Sequence, residues 1–321
     1  MPRPLMMVVM FVVCLALATL ETGAAAPQRP VFRGTGDAVH VFVTVTDRDG
    51  RLVTTLTRDD FEVRDEGDRQ PITLFDNTPQ PIRLIVMLDV SGSMAGNLSL
   101  LRASADQLFA RLRPDDLARV GTFGREVAIS PRFTNDRYEL RAALPESIDS
   151  EAPTPLWKAI DEAMEAFGDE GDERRVILVL SDGKDSGPTG FRGYVSQAEV
   201  IDRSRDDGVM VYAIGLRSRG ERPRIPAAGP GGLQAFLEAD LPDVGLARVA
   251  EETGGGYTEI RPRQDLGAAF AQVADELHSQ YLLGFDPPKR DGKTHDVDVR
   301  VSRRGLKPRA KKSYVAPKQD G

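Results

Sequence analysis

Apolar and polar residues alternate near both ends of the chain. In AVHVFVTVTDRDGRLV the apolar side chains fall on every second position, which predicts a strand with one buried face; they are Val39, Val41, Val43 and Val45. HDVDVRVSRR repeats the pattern with Val297, Val299 and Val301. The pairs Asp49-Gly50 and Glu66-Gly67 favour tight turns, so the N-terminal part is predicted to form hairpins.

The middle of the chain has continuous apolar runs separated by helical patterns. Four runs are typical of strands that are buried on both faces of a parallel sheet: 84–90, 117–123, 176–181 and 209–216. Apolar residues recur at helical spacing in three segments, which begin at Leu98, Leu156 and Leu266. This alternation predicts an α/β fold with a doubly wound, mostly parallel sheet.

The two flanking β segments are each too short to bury a core alone, so they are predicted to pair into one small β-sandwich-like module. The predicted organisation is a signal peptide at 1–26, the first part of the β module at 36–80, the α/β domain at 82–285 and the second part of the β module at 286–321. The Gly-, Pro- and Arg-rich segment 217–232 is predicted to be a mobile surface insertion.

The N-terminus has the order of a secretory signal peptide. Arg3 precedes an apolar run at 5–20, and small residues follow at 24–26. The protein is therefore predicted to be exported to the periplasm, the cell envelope or the medium. An uncleaved anchor is the alternative, although the run is shorter than the ~20 residues of a membrane span. Cys14, the only cysteine, lies in this segment, so no disulfide is predicted.

The composition limits the classes of function. Hydrophobic residues make up 40% and charged residues 28% of the chain, and the net charge of -7 gives no indication of nucleic-acid binding. The one basic cluster, 303–312, is predicted to be a solvated strand face or a contact with anionic envelope components. The histidines His40, His278 and His295 are scattered, and no hydrolase or phosphate-binding motif is visible. No catalytic residue and no organic cofactor is predicted.

The stretch LIVMLDVSGSMAG, residues 84–96, ends a buried strand on a carboxylate and then places two hydroxyls at alternate positions. Ligands of an open α/β sheet bind outside the carboxyl ends of the strands, which is where Asp89 lies. Ser91 and Ser93 follow in a loop, in which Gly92 allows a tight turn. These hard oxygen donors suit Mg²⁺, Mn²⁺ or Ca²⁺. Taken alone, the pattern fits a strand end with an N-cap serine equally well.

Two further stretches favour a metal site. EAPTPLWKAID places Thr154 in a loop before an amphipathic helix, and VILVLSDGKD ends another buried strand with Ser181, followed by Asp182. The oxygen donors then come from loops at one edge of the sheet, and the predicted metal ligands are Asp89, Ser91, Ser93, Thr154 and Asp182. For the nearby Asp185, a solvated loop position is favoured over a role in the site.

With the motifs DVSGS, TPL and SDG, residues 82–285 resemble the von Willebrand factor type A domain with its metal-ion-dependent adhesion site. The resemblance implies the same five ligands, with Mg²⁺ as the usual ion. It implies direct metal bonds from Ser91 and Ser93, and direct or water-mediated bonds from the threonine and the aspartates. One departure is Ala-Pro before Thr154, where glycines are common.

Two other features follow from this resemblance. The flanking segments look like the ends of exported bacterial proteins related to this domain. In the family, partner binding is often coupled to movement of the final helix, for which the candidate is 264–279.

Together these features predict a non-enzymatic, adhesion-type binding protein. Since only Asp89 and Asp182 are acidic, the metal should keep an open coordination position, which an Asp or Glu carboxylate of an unidentified partner protein would complete. One alternative is an envelope scaffold with no partner carboxylate at the metal. A weaker alternative is a metal-assisted hydrolase, which usually needs two metals or a positioned base.

Overall fold

A computed structural model describes residues 38–168, 173–182, 185–187, 193–217, 244–261 and 264–318. The predicted signal peptide with Cys14, and the predicted insertion beyond Arg217, lie outside these residues. Among the helices that are described, none is long and apolar enough to cross a membrane.

The central sheet contains six described strands, which run from β5 to β10 along the chain. They are Ile82–Asp89 (β5), Leu117–Phe123 (β6), Val127–Ile129 (β7), Arg174–Ser181 (β8), Met210–Leu216 (β9) and Tyr257–Ile260 (β10). Their order is β10-β9-β8-β5-β6-β7, and every neighbouring pair is parallel except β6 with the short β7. The four predicted strands are confirmed to within two residues at each end.

Helices cover both faces of this sheet. They are Leu98–Arg111 (α1), Arg137–Ala142 (α2), Leu156–Glu165 (α3), Gln197–Asp206 (α4), Val244–Thr253 (α5) and Leu266–Leu277 (α6). The three predicted helices are confirmed as α1, α3 and α6, whereas α2, α4 and α5 were not predicted.

The continuous apolar run of β5 has a simple cause. Leu84, Val86 and Leu88 pack into the core that contains apolar residues of α1 and α6. Ile85 and Met87 point to the other face, into the core that contains residues of α3, α4 and α5. Both faces of the strand are therefore buried, and the predicted doubly wound α/β class is confirmed.

The two flanking segments form two antiparallel sheets of four strands each. The strands are Val39–Thr46 (β1), Phe61–Asp65 (β2), Asp68–Gln70 (β3), Leu74–Asp76 (β4), Tyr281–Phe285 (β11), Thr294–Val301 (β12), Lys307–Arg309 (β13) and Ser313–Val315 (β14). The orders are β13-β1-β11-β4 and β14-β12-β2-β3, so each sheet combines strands from both flanks. This agrees with the predicted sandwich-like module. Strand β11 falls within the 82–285 range predicted for the α/β domain, but it pairs with β1 and β4 of the module.

The alternating valines form the inner face of this module. Val41, Val43, Val297 and Val299 share one buried cluster with Tyr281, and the predicted one-sided strands are thereby confirmed.

A buried carboxylate joins α6 to the flanking strands. Glu276 accepts hydrogen bonds from the hydroxyls of Thr44 on β1 (3.2 Å) and Tyr212 on β9 (2.7 Å), and it forms an ion pair with Arg309 on β13. The side-chain amide of Gln280 donates to the same two hydroxyls, at 2.7 and 3.1 Å. Thr44 is thus a buried polar residue because it faces this carboxylate.

We expect Glu276→Gln to lower the free energy of unfolding by about 2 kcal/mol. Removing one partner of a buried ion pair costs about 3–5 kcal/mol, and the effect should be smaller here because Arg309 is partly exposed. Urea denaturation measures the loss. The matched control is Asp298→Asn, which removes an exposed ion pair with Arg300 and should cost well under about 1 kcal/mol. Equal losses in the two variants would contradict the assigned role of Glu276.

Candidate functional site

Asp89 ends β5 as a fully buried carboxylate. One oxygen, Oδ1, accepts the backbone N–H of Ser91 at 2.8 Å. The other, Oδ2, accepts the hydroxyl of Ser181 at 2.5 Å, and Ser181 is the last residue of the neighbouring strand β8. These bonds hold the carboxylate at the carboxyl ends of two adjacent strands.

The two serines connect the first strand end to the second. The hydroxyl oxygens of Ser91 and Ser93 lie 3.1 Å apart, and the Ser93 hydroxyl donates to Oδ1 of Asp182 at 2.6 Å. The other oxygen of Asp182, Oδ2, is buried and has no hydrogen-bond partner among the described residues. The structure therefore brings Asp89, Ser91, Ser93 and Asp182 into one group.

Thr154 is buried in the loop just before α3. Among the described residues, no hydrogen bond joins it directly to the other four predicted ligands. Its backbone is held by Ser186 instead: the Thr154 N–H donates to the Ser186 hydroxyl at 2.7 Å, and its carbonyl accepts the Ser186 N–H at 2.9 Å. Two residues earlier, the Ala152 carbonyl accepts the N–H of Gly92 at 3.2 Å.

Gly92 is required for a different reason from the one predicted. Its φ is not in the left-handed region, so the turn itself does not demand glycine. A Cβ at this position would lie 2.1 Å from the carbonyl oxygen of Ser150. The glycine therefore permits the serine loop to touch the loop that carries Thr154.

The alternative prediction, a strand end followed by an N-cap serine, is correct for the position but not for the side-chain contact. Ser91 is the N-cap residue of a 3₁₀ helix, Gly92–Gly96, but its side chain makes no capping hydrogen bond. Its hydroxyl lies against Ser93 instead.

Two residues that the sequence analysis did not assign to the site contribute to its construction. Ser181 holds Asp89, and Ser186 holds Thr154.

The predicted solvated position of Asp185 is wrong. Its carboxylate is half-buried and accepts the backbone N–H of Trp157 at 3.3 Å and of Gly187 at 2.8 Å. The first N–H groups of a helix lack partners within the helix, which explains this contact with the first turn of α3.

The electrostatics of the group favour a cation. Burial raises the pKa of Asp89 from 3.8 to about 6, against the opposing effect of the hydrogen bonds from Ser181 and Ser91. Burial also raises the pKa of Asp182, against the hydrogen bond from Ser93. Within the described part of the chain, no lysine, arginine or histidine lowers either pKa. The two buried carboxylates and the two serine hydroxyls of this group form an oxygen donor set that suits a hard divalent cation.

We expect Asp89→Asn to reduce the pH dependence of stability when metal is chelated. Because the pKa is raised on folding, the folded protein binds more protons than the unfolded chain, and stability falls as the pH rises through about 6. Between pH 5 and 7.5 the contribution of Asp89 to the free energy of unfolding should fall by roughly 1 kcal/mol, since one pKa unit corresponds to about 1.36 kcal/mol. Denaturant titrations in EDTA at both pH values measure it. An Asn variant that retains the full wild-type difference would contradict this origin.

Comparison with known proteins agrees with the fold. Residues 84–184, which include all five predicted ligands, match the family model of the von Willebrand factor type A domain. The comparison with curated proteins found no match.

Several solved structures are similar to the chain at low identity. An aerotolerance-related membrane protein from Bacteroides fragilis is 18% identical, with a TM-score of 0.44 and coverage of 61% of this chain and 98% of that one. Proximal thread matrix protein 1 from the mussel byssus, described with a zinc-occupied MIDAS motif, is 14% identical, with a TM-score of 0.45 and coverage of 66% and 49%. A von Willebrand factor type A protein from Catenulispora acidiphila is 12% identical, with a TM-score of 0.44 and coverage of 88% and 74%. Similarities of this strength carry no information on function. The family match of residues 84–184 agrees with the resemblance of this part of the chain to the von Willebrand factor type A domain, and the order and direction of the central strands show the doubly wound α/β fold.

Proposed function

We propose that the protein is an exported binding protein that depends on a divalent metal, in which Asp89, Ser91, Ser93, Thr154 and Asp182 hold Mg²⁺. Mn²⁺ and Ca²⁺ are the alternatives that the same donor chemistry accepts. The partner is a protein that presents an Asp or Glu carboxylate at this edge of the sheet.

The observation that carries the proposal is the environment of Asp182. One of its oxygens bonds to Ser93, while the other is buried without a partner in the described residues. A buried oxygen of this kind costs about 1–3 kcal/mol, and more when it is charged. A cation beside Ser93 would remove that cost, and it would also offset the raised pKa of Asp89.

The donor set also supports a binding role. Its two carboxylates balance the charge of a divalent ion, and the hydroxyls add neutral oxygens. A metal held by these five residues would keep a coordination position for the carboxylate of a partner. Domains of the matched family generally take part in protein–protein interaction.

The described histidines give no support to a hydrolase. His278 hydrogen-bonds to Asp116 at 2.8 Å, and His295 lies between Asp65 and Asp291 in the β module. His40 is on β1, in the flanking sheet. None of these histidines is hydrogen-bonded to Ser91 or Ser93, and the carboxylate that accepts from Ser93 is Asp182, itself a proposed metal ligand. Export is supported by the signal-peptide pattern of residues 1–26.

We expect Mg²⁺ or Mn²⁺ to raise the melting temperature of the wild-type protein. A ligand that binds only the folded state adds about 2.7 kcal/mol of stability at a hundredfold excess over its Kd. Asp89→Asn should abolish this gain, while Asp298→Asn, a change of an exposed carboxylate, should retain it. Thermal unfolding with and without the metal measures the shifts. Identical shifts in wild type and Asp89→Asn would show that the metal binds elsewhere.

The partner should be captured only when the site can hold metal. Wild-type protein is used as bait against a cell-envelope extract in Mg²⁺ and in EDTA, with Asp89→Asn as the matched bait in Mg²⁺. A protein retained only by the wild type in Mg²⁺ is identified by mass spectrometry, and its Asp and Glu residues are then changed singly to Asn and Gln. We expect one such change to abolish capture. Capture that survives EDTA, or that no carboxylate change affects, would contradict the proposed recognition.

A further inference from the structure

The short loop after β8 contacts two parts of the proposed site. Asp182, at its start, faces Ser93. Four residues later, Ser186 makes two hydrogen bonds to the backbone of Thr154: its hydroxyl accepts the Thr154 N–H at 2.7 Å, and its own N–H donates to the Thr154 carbonyl at 2.9 Å. The side chain and the backbone N–H of Ser186 therefore both bond to the backbone of one residue, Thr154, in the neighbouring loop.

This pairing determines the backbone position of Thr154. Pro153, the residue before it, has no N–H and cannot donate a backbone hydrogen bond. Ala152 is attached to the serine loop through Gly92. The loop is thus held at two points, by Gly92 at Ala152 and by Ser186 at Thr154. The Ala-Pro segment that departs from the family pattern begins at the first of these points, and only Pro153 lies between the two.

The role of Ser186 differs from that of its neighbour Asp185. The carboxylate of Asp185 accepts the N–H of Trp157 in the first turn of α3, which is a contact expected to stabilise a helix end. Ser186 bonds instead to the backbone of the proposed ligand Thr154, which precedes that turn. It also carries no net charge, so an effect of removing its hydroxyl on metal binding would not come from the loss of a charge.

We propose that Ser186 is a positioning residue for the metal site: its hydroxyl and N–H hold Thr154 where its side chain can serve as a ligand. This inference rests on the proposed function. It assigns to the SDGKDS segment a second contribution besides Asp182, namely the placement of the ligand from the neighbouring loop. Residues that orient metal ligands typically change metal affinity by about 10–100-fold when they are mutated.

The test compares two variants of Ser186 with a control serine. Titration calorimetry with Mn²⁺ alone as the probe measures the Kd of the purified full chain. Ser186→Ala should weaken binding about tenfold, while Ser186→Thr, which keeps the hydroxyl, should stay within about twofold of wild type. The control is Ser196→Ala, which removes the N-cap of α4 and so destabilises the protein away from the site; its Kd should be unchanged.

A second measurement needs no metal. In EDTA, hydrogen exchange over residues 150–157 should be faster in Ser186→Ala than in wild type and in Ser196→Ala, because the Thr154 N–H loses its acceptor.

The outcomes separate this inference from the proposed function. If the wild type binds Mn²⁺ but Ser186→Ala binds it equally well, the positioning role is overturned and the metal site stands. Equal weakening in Ser186→Ala and Ser186→Thr would also overturn it, because the hydroxyl would then not be the cause. If the wild type does not bind Mn²⁺ at all, both the proposed function and the inference fail.

Discussion

The interaction on which the rest of the site depends is the burial of a carboxylate at the end of a strand. Asp89 is placed there by an apolar run whose two faces are covered by helices, so the chain cannot expose it without disturbing both cores. Removing a carboxylate from water is costly unless hydrogen bonds or a cation compensate it. Ser181 and the N–H of Ser91 provide part of that compensation, and the raised pKa shows that they do not provide all of it. A structure with this imbalance is suited to a bound cation.

Much of the architecture could be predicted because it follows from local patterns. The period-2 valines near Val41 and Val299 and the helical spacing after Leu98 are each visible within about ten residues of sequence. The pairing of the flanks followed from a simple physical argument, since neither flank can bury a core alone. For the site, the types and spacing of the residues indicated Asp89, Ser91 and Ser93 as a group, and the structure does bring these three together with Asp182.

The remaining features are contacts between residues that are distant in sequence. Nothing near Ser186 indicates that it pairs with Thr154, because the two loops meet only after the sheet has formed. The requirement for glycine at position 92 also comes from a contact between loops, because the carbonyl oxygen that would clash with a Cβ there belongs to Ser150. Thr44 resembles any threonine on the polar face of a strand until α6 places Glu276 against it. Sequence patterns describe which face of an element is apolar, but they do not specify which polar residues will meet across elements.

The construction of the flanking sheets from both ends of the chain has a consequence for the order of folding. Strand β1 pairs with β11 and β13, and Thr44 meets Glu276 across a separation of 232 residues. A ribosome or an export channel delivers β1 and β2 before the later strands, so their valine faces lack their partner strands until β11, β12 and β13 have emerged. Closing so long a loop has an entropic cost, and contacts between residues that are far apart in sequence reduce the folding rate. The α/β domain between the flanks can assemble earlier, and in doing so it brings the two ends near each other. The α/β domain thus joins the two halves of the sandwich, and the apolar face of the first half is exposed to misassembly for as long as the second half is missing.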